Sequence, residues 1–255
     1  MTGTRHPYAA GPLTPDVPSL RRVAATALSA VLLAITAGSP IAVAPTWEYL
    51  AHYGFGDDHP WQDSSGRGHH LTPVGAPARH ITRGAGHAVG FPAPCTGGHC
   101  PRLILSTPGT PALNPGTRPF GYGATIRLAA TDTTDGQNIV QKGFSAEGSQ
   151  YKLQIDGYAG HPSCVLRGTA GPTIHKAVAD VTVADGRWHR LECRRAPRTL
   201  TMLVDGVART VLPIPPALRV DNAMPLIIGG KSTNPGNDQF HGETDDIFVR
   251  VPTAP

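Results

Sequence analysis

Trp188-His189-Arg190-Leu191-Glu192-Cys193-Arg194-Arg195-Ala196-Pro197-Arg198-Thr199-Leu200-Thr201-Met202-Leu203-Val204-Asp205-Gly206-Val207-Ala208-Arg209-Thr210-Val211-Leu212 decides the fold. It reads as three short strands, His189–Arg194, Thr199–Val204 and Val207–Leu212, separated by two turns. The second turn is Asp205-Gly206, where glycine tolerates the positive φ that a type I′ hairpin requires. The first uses Arg195-Ala196-Pro197-Arg198. Alternation puts His189, Leu191 and Cys193 on one face. Trp188, just after the Asp185-Gly186-Arg187 turn, is expected to plug the core, and His189 to be buried and hydrogen-bonded.

The same pattern extends outward. Further strands are expected at Glu48–Tyr53, Ala88–Phe91, Arg102–Ser106, Ala124–Ala129, Ile139–Lys142, Tyr151–Asp156, Cys164–Gly168, Ala177–Val181, Leu226–Gly229 and Asp246–Val251. Valine, isoleucine, leucine and threonine dominate them, and Gly, Pro, Asn and Asp clusters separate them. No stretch after residue 44 carries a sustained helical period with caps. The chain holds 30 Gly and 26 Pro in 255 residues, which weaken helix interiors. This many short strands imply one all-β domain, a large antiparallel sandwich, over residues 45–255.

Residues 1–44 read as a secretory signal. Arg21-Arg22 precede an uncharged run from Val23 to Ile35, and Ala42-Val43-Ala44 supplies the A-x-A site. Val23 to Val43 is also long enough for a retained membrane anchor, and Pro45 directly after the cut favours that alternative. Either way the rest is expected outside the cytoplasm: secreted, or anchored and facing outward. Without Arg5, Arg21, Arg22 and Asp16 the remainder is almost neutral, and no basic patch points to nucleic acid.

An oxidising compartment makes four cysteines a disulfide framework. Cys95 and Cys100 bracket Thr96-Gly97-Gly98-His99, a loop able to turn back on itself. Cys164 and Cys193 then pair, closing a loop that contributes about 3 kcal/mol. A metal site from Cys95, His99 and Cys100 lacks a second ligand pair.

Several pieces, in order, resemble a known family. They are Asp63-Ser64-Ser65-Gly66-Arg67-Gly68-His69-His70-Leu71, Leu113-Asn114-Pro115-Gly116-Thr117-Arg118-Pro119-Phe120, Gln137-Asn138-Ile139-Val140-Gln141-Lys142-Gly143 and Tyr151-Lys152-Leu153. Then follow Asp185-Gly186-Arg187-Trp188-His189, Leu203-Val204-Asp205-Gly206, Pro225-Leu226-Ile227-Ile228-Gly229-Gly230 and Phe240-His241-Gly242-Glu243-Thr244-Asp245-Asp246-Ile247. Together they resemble the laminin-G-like jelly roll of the concanavalin A-like lectin/glucanase superfamily, in its secreted bacterial branch. The resemblance implies a concanavalin A-like sandwich with neighbouring first and last strands. It also implies a structural calcium held by loop carboxylates, here Asp63 and Asp245, with Asp57, Asp58 and Asp246 nearby. Glycosidases of that superfamily place Glu-x-Asp-x-Glu along a strand. Glu243-Thr244-Asp245-Asp246-Ile247 ends in isoleucine, so no catalytic residue is assigned and the chain is not expected to be an enzyme.

Sugar binding needs exposed aromatic faces beside hydrogen-bonding groups. Trp61, in a His-Pro-Trp-Gln loop, and the glycine-flanked Tyr122 and Tyr158 are the candidates. The expected function is a non-catalytic module for carbohydrate or an extracellular glycoconjugate. A cell-surface structural or protein-interaction domain is the alternative, ahead of a glycan hydrolase.

Overall fold

The computed structural model describes residues 46–56 and 58–253. The signal or anchor expected over 1–44, and Asp57, lie outside the described residues. The strands, in chain order, begin with β1 (Trp47–Tyr53), β2 (Thr72–Gly75), β3 (Arg79–Arg83), β4 (Gly86–Gly90), β5 (Leu103–Ser106), β6 (Phe120–Arg127), β7 (Gly136–Lys142) and β8 (Gln150–Asp156). They continue with β9 (His161–Arg167), β10 (Ile174–Val178), β11 (Trp188–Ala196), β12 (Thr199–Val204), β13 (Val207–Pro213), β14 (Leu226–Ile228) and β15 (Glu243–Pro252). Among the described residues the helical content is one 3-10 turn, Ala130–Asp132.

Two antiparallel sheets form a jelly-roll sandwich, as expected. Sheet A has the order β13-β12-β11-β6-β15-β4-β3, with β1 also on β15; sheet B has the order β10-β9-β8-β7-β14-β5-β2. The first and last strands are neighbours, Trp47 opposite Pro252 and Tyr53 opposite Ile247. Alternation sends Tyr122, Ala124 and Ile126 of β6 and Tyr151, Leu153 and Ile155 of β8 into one buried core between the sheets.

Both hairpins form. In the second, Val204 faces Val207 across Asp205 (φ 52°) and Gly206 (φ 80°), the paired positive φ values of a type I′ turn. The first is tighter than expected: Ala196 pairs with Thr199, so only Pro197 and Arg198 turn. Arg195 therefore belongs to the strand. Its buried guanidinium donates to the carbonyls of Gly116 (2.9 Å) and Leu218 (2.6 Å), tying β11 to two loops.

Strands β2 and β3 escaped the pattern reading. Both are sheet edges with mostly exposed or half-buried side chains, and β2 contains Pro73, which an edge tolerates. β6 begins four residues before the expected Ala124. Its glycines lower strand propensity, but Gly123 is required by packing: a Cβ there would lie 2.2 Å from the Leu191 carbonyl oxygen and 2.6 Å from the Phe248 ring.

Both expected disulfides are present, Cys95–Cys100 and Cys164–Cys193. The second joins β9 of sheet B to β11 of sheet A, with both half-cystines fully buried. Beside it, Tyr122 sits opposite Cys193, and its hydroxyl is 3.2 Å from the carbonyl oxygens of both Lys152 and Val165.

Trp188 does not plug the core. It is half-buried on the outer face of sheet A, in contact with the Arg83 and Arg127 guanidiniums at 4.7 and 5.3 Å. His189 is hydrogen-bonded as expected, by Asp205 (2.8 Å) and Asp185 (3.0 Å) on its two ring nitrogens, and lies at the rim. Burial opposes charging of this ring, but the bonds to Asp205 and Asp185 and their charges outweigh it and raise its pKa.

Two outcomes follow. The double variant Cys164→Ala/Cys193→Ala should lose about 2–4 kcal/mol in urea unfolding, whereas Cys95→Ala/Cys100→Ala, closing a six-residue loop at the surface, should lose less. A histidine with a raised folded pKa stabilises fully below its unfolded value near ~6.5, and that increment is lost as pH rises through the folded pKa. His189→Gln should therefore lower the melting temperature more at pH 5.5 than at pH 8.5; equal shifts would contradict the ion-paired ring.

Candidate functional site

The three aromatic candidates separate cleanly. Tyr122 is a correction: with no exposed surface and its hydroxyl bonded across the sandwich, it is a core residue and has no face to offer a sugar. Trp61 is half-buried. Its ring meets Phe55 edge-on at 6.1 Å and His80 at 5.5 Å, and its carbonyl accepts from Leu71 N–H (2.8 Å), so it staples its own loop. One side still borders a shallow depression with His59, Gln62 and His70. Tyr158, in the turn between β8 and β9, is 73 % exposed.

Tyr158 stands on the wall of a cleft of about 520 Å³ where β7 begins and β8 ends. Gln154 of β8, Asp135, Arg102, Asn237, Asp238 and the Cys95–Cys100 bridge share that lining. Alternation explains Gln154: Tyr151, Leu153 and Ile155 face the core, so Lys152, Gln154 and Asp156 face outward. Asn237 and Asp238 come from the segment after β14, which is pinned over sheet B. The Gln239 amide accepts from Leu103 N–H (2.9 Å) and donates to the Gly229 carbonyl (2.7 Å), while Asn138 N–H donates to the Asp238 carbonyl (2.8 Å). His241 also lines the cleft, bonded through Nδ1 to the Pro92 carbonyl (2.7 Å); burial lowers its pKa and keeps the ring neutral. Of the aromatic residues expected from the sequence to bind ligand, Tyr158 alone lines this cleft. The signal for Gln154 was there in the alternation of Tyr151–Asp156, whose outward members are all polar.

The expected calcium ligands do not form a joint site. Asp63 Oδ1 accepts from His52 N–H (3.0 Å) and Ser65 N–H (2.9 Å), and Oδ2 accepts from Ser65 Oγ (2.8 Å) and His69 N–H (3.0 Å). Burial works against this carboxylate, but those donors outweigh it and lower its pKa. Asp245 pairs with Arg83, and its other oxygen accepts from Asp246 N–H. Four donors saturating Asp63 and a guanidinium on Asp245 make a poor cation cage, so the residues present do not fit the ion. The first and last strands do meet, as expected, but the residue that reaches toward the Asp63 loop is Asp246: His52 bonds Asp63 through its backbone N–H and Asp246 through Nε2 (2.8 Å). Among the described residues no group of three or more His, Cys, Asp or Glu is placed to hold a metal.

The carboxylates of the β15 motif are likewise engaged. Glu243 accepts from Arg127 Nε (2.7 Å), and Asp246 pairs with Arg190.

Comparison with known proteins agrees with this architecture. Residues 105–251 match the laminin G type of the Concanavalin A-like lectin/glucanases superfamily, and the chain belongs to that family. No curated protein matches the chain. Among solved structures, Domain 4 of AbnA, a GH43 extracellular arabinanase from Geobacillus stearothermophilus, in complex with arabinotriose, is similar at 13 % identity, with 82 % of this chain and 95 % of that one covered and a TM-score of 0.62. The binding domain of Paraclostridial Mosquitocidal Protein 1 gives 13 % identity, 82 % and 50 % coverage and a TM-score of 0.62. The binding domain of botulinum neurotoxin serotype D gives 12 % identity, 82 % and 48 % coverage and a TM-score of 0.59. The chain thus spans about half the length of the last two domains, and at these identities the likeness is one of fold.

If Asp63 is a hydrogen-bond acceptor for its loop, Asp63→Asn should cost about 2 kcal/mol, because an amide presents N–H to donors already aimed at it. The melting shift should be the same in chelator and in millimolar calcium; a calcium-dependent shift would restore the ion.

Proposed function

We propose that this chain is an extracellular binding module whose ligand is a carbohydrate or glycoconjugate, held in the cleft beside Tyr158. One observation carries the reading: Tyr158, 73 % exposed, stands on a cleft whose lining also presents Gln154, Asn237, Asp135, Asp238 and Arg102. An apolar sugar face stacks on such a ring, and the hydroxyls meet Gln154, Asn237 and Asp238. The fold shared with the arabinotriose-bound arabinanase domain supports it, and two disulfides accord with export. Among the described residues no helix is long and apolar enough to cross a membrane.

A protein-facing surface domain is the second reading. The observation favouring it is the edge strand β13, where Val207 and Val211 are 52 % and 57 % exposed.

A glycan-array scan of the full chain tests the first reading. Tyr158→Ala should weaken binding of every retained glycan about tenfold, the scale of one lost aromatic stacking contact. Trp61→Ala should leave the retained set intact on protein that still melts cooperatively. A blank array on folded protein would refute the carbohydrate reading.

A further inference from the structure

The chain has 18 arginines and only four lysines, Lys142, Lys152, Lys176 and Lys231. Three of the four gather on the outer side of sheet B. Lys152 of β8 and Lys176 of β10 both stand opposite Val165 of β9, one on each side, so they share a face about 10 Å apart. Lys231, just after β14, lies within Coulombic reach of Lys152.

Two of these lysines are neutralised. Lys176 Nζ is 3.6 Å from Asp156, and Lys231 Nζ is 2.8 Å from Asp238. Among the described residues Lys152 has no carboxylate at ion-pair distance, although Asp238 and Asp156 act on it from further away. Burial, with Lys231 and Lys176 nearby, outweighs those two aspartates and lowers the pKa of Lys152: its charge is under-compensated where it sits. The outer face of sheet A is the control. There Arg83, Arg127, Arg190, Arg194 and Arg250 each have a carboxylate partner.

Position links Lys152 to the cleft. It precedes Gln154 by two residues on the same face of β8, about 7 Å along the strand, and Gln154 shares the cleft with Tyr158. The strands on either side of Gln154 also carry unsatisfied polar groups. Ser163 and Asn138 stand opposite it on β9 and β7, both buried, and Ser163 Oγ and Asn138 Oδ1 have no hydrogen-bond partner among the described residues. Native structures leave few such groups.

We propose that the ligand of this cleft is an acidic oligosaccharide, bearing a carboxylate or a sulfate ester, and that Lys152 receives its anionic group. This rests on the carbohydrate reading above and narrows it to a chemical class. One sugar ring stacks on Tyr158, and a further unit along β8 brings its charge to the ammonium. A charge-assisted hydrogen bond to an incompletely hydrated cation is stronger than one to a hydroxyl. The ligand must be longer than a monosaccharide, because Tyr158 and Lys152 are separated by most of the outward length of β8.

The test is calorimetric titration of the full chain with matched probes beside the array. Oligogalacturonate is compared with its methyl ester, and a sulfated galactan oligosaccharide with the unsulfated one. At least one acidic probe should bind about tenfold more tightly than its neutral partner, and the pair that discriminates identifies the anion. Lys152→Gln should abolish the discrimination while leaving neutral binding unchanged; Lys152→Arg should retain most of it. Lys152 points out of the core, so both variants should melt like the parent. Neutral and acidic probes bound equally, or a preference that survives Lys152→Gln, would overturn the proposal and leave the carbohydrate reading standing. No glycan of either kind retained by folded protein would overturn both.

Discussion

The two sheets are held face to face at one place by both a covalent and a polar tie. Cys164–Cys193 links β9 to β11, and next to it the Tyr122 hydroxyl crosses the core to the carbonyls of Lys152 and Val165. A phenol so buried cannot be left unbonded without cost, and the cross-sheet carbonyls satisfy it. The tie fixes more than the core. Lys152 is gripped from inside by its main chain while its side chain faces out, so the strand that carries Gln154 into the cleft two residues on inherits the rigidity of the sandwich. Tyr151, on the same strand, adds a bond from its hydroxyl to the Leu113 carbonyl (3.3 Å). Ligand-contacting side chains carried by strands locked in this way hold their geometry better than the same side chains on a free loop.

The outer faces of the sheets solve different problems. Sheet A is covered by its own side chains: the Phe248 ring packs over Gly123, Arg190 and Arg250 pack on that ring at 4.8 and 4.9 Å, and Arg250 also covers Trp47 at 4.5 Å. Each exposed ion pair there contributes about 0–1 kcal/mol alone. Together they close the face, leaving aromatic surface masked and each of these guanidiniums beside a carboxylate, with Glu192 serving both Arg194 and Arg250. Sheet B is closed only in part, by the segment pinned through Gln239, and the part left open is the polar cleft.

What the residues revealed on their own followed from locality. The Asp205-Gly206 hairpin and the Cys95–Cys100 loop are readable because each is decided by a handful of adjacent residues. Cys164 and Cys193 were readable because alternation placed both on apolar faces. Edge strands β2 and β3 were not, since an edge needs no buried stripe to form. Tyr122 and Tyr158 look alike locally, both flanked by glycine. They differ in register: Tyr122 alternates with Phe120, Ala124 and Ile126 into the core, whereas Tyr158 sits in a four-residue turn. Starting β6 at Ala124 hid that difference. For Asp63 and Asp245 the neighbouring strands were legible and the partners were not. Asp245 meets Arg83, 162 residues away in the chain, and Asp63 is closed by donors two to eleven residues away whose directions only the folded loop sets.

The scarcity of lysine has a practical side. Amine-reactive reagents address the chain through very few groups, and Lys142 is buried, its Nζ donating to the Met224 carbonyl (2.6 Å) and the Asn222 side chain (3.0 Å). The remaining three lie on the open side of sheet B. Coupling to a sensor chip, biotinylation or dye labelling through amines would therefore land on the candidate binding face and mask it, and immobilisation through an added terminal tag keeps it clear.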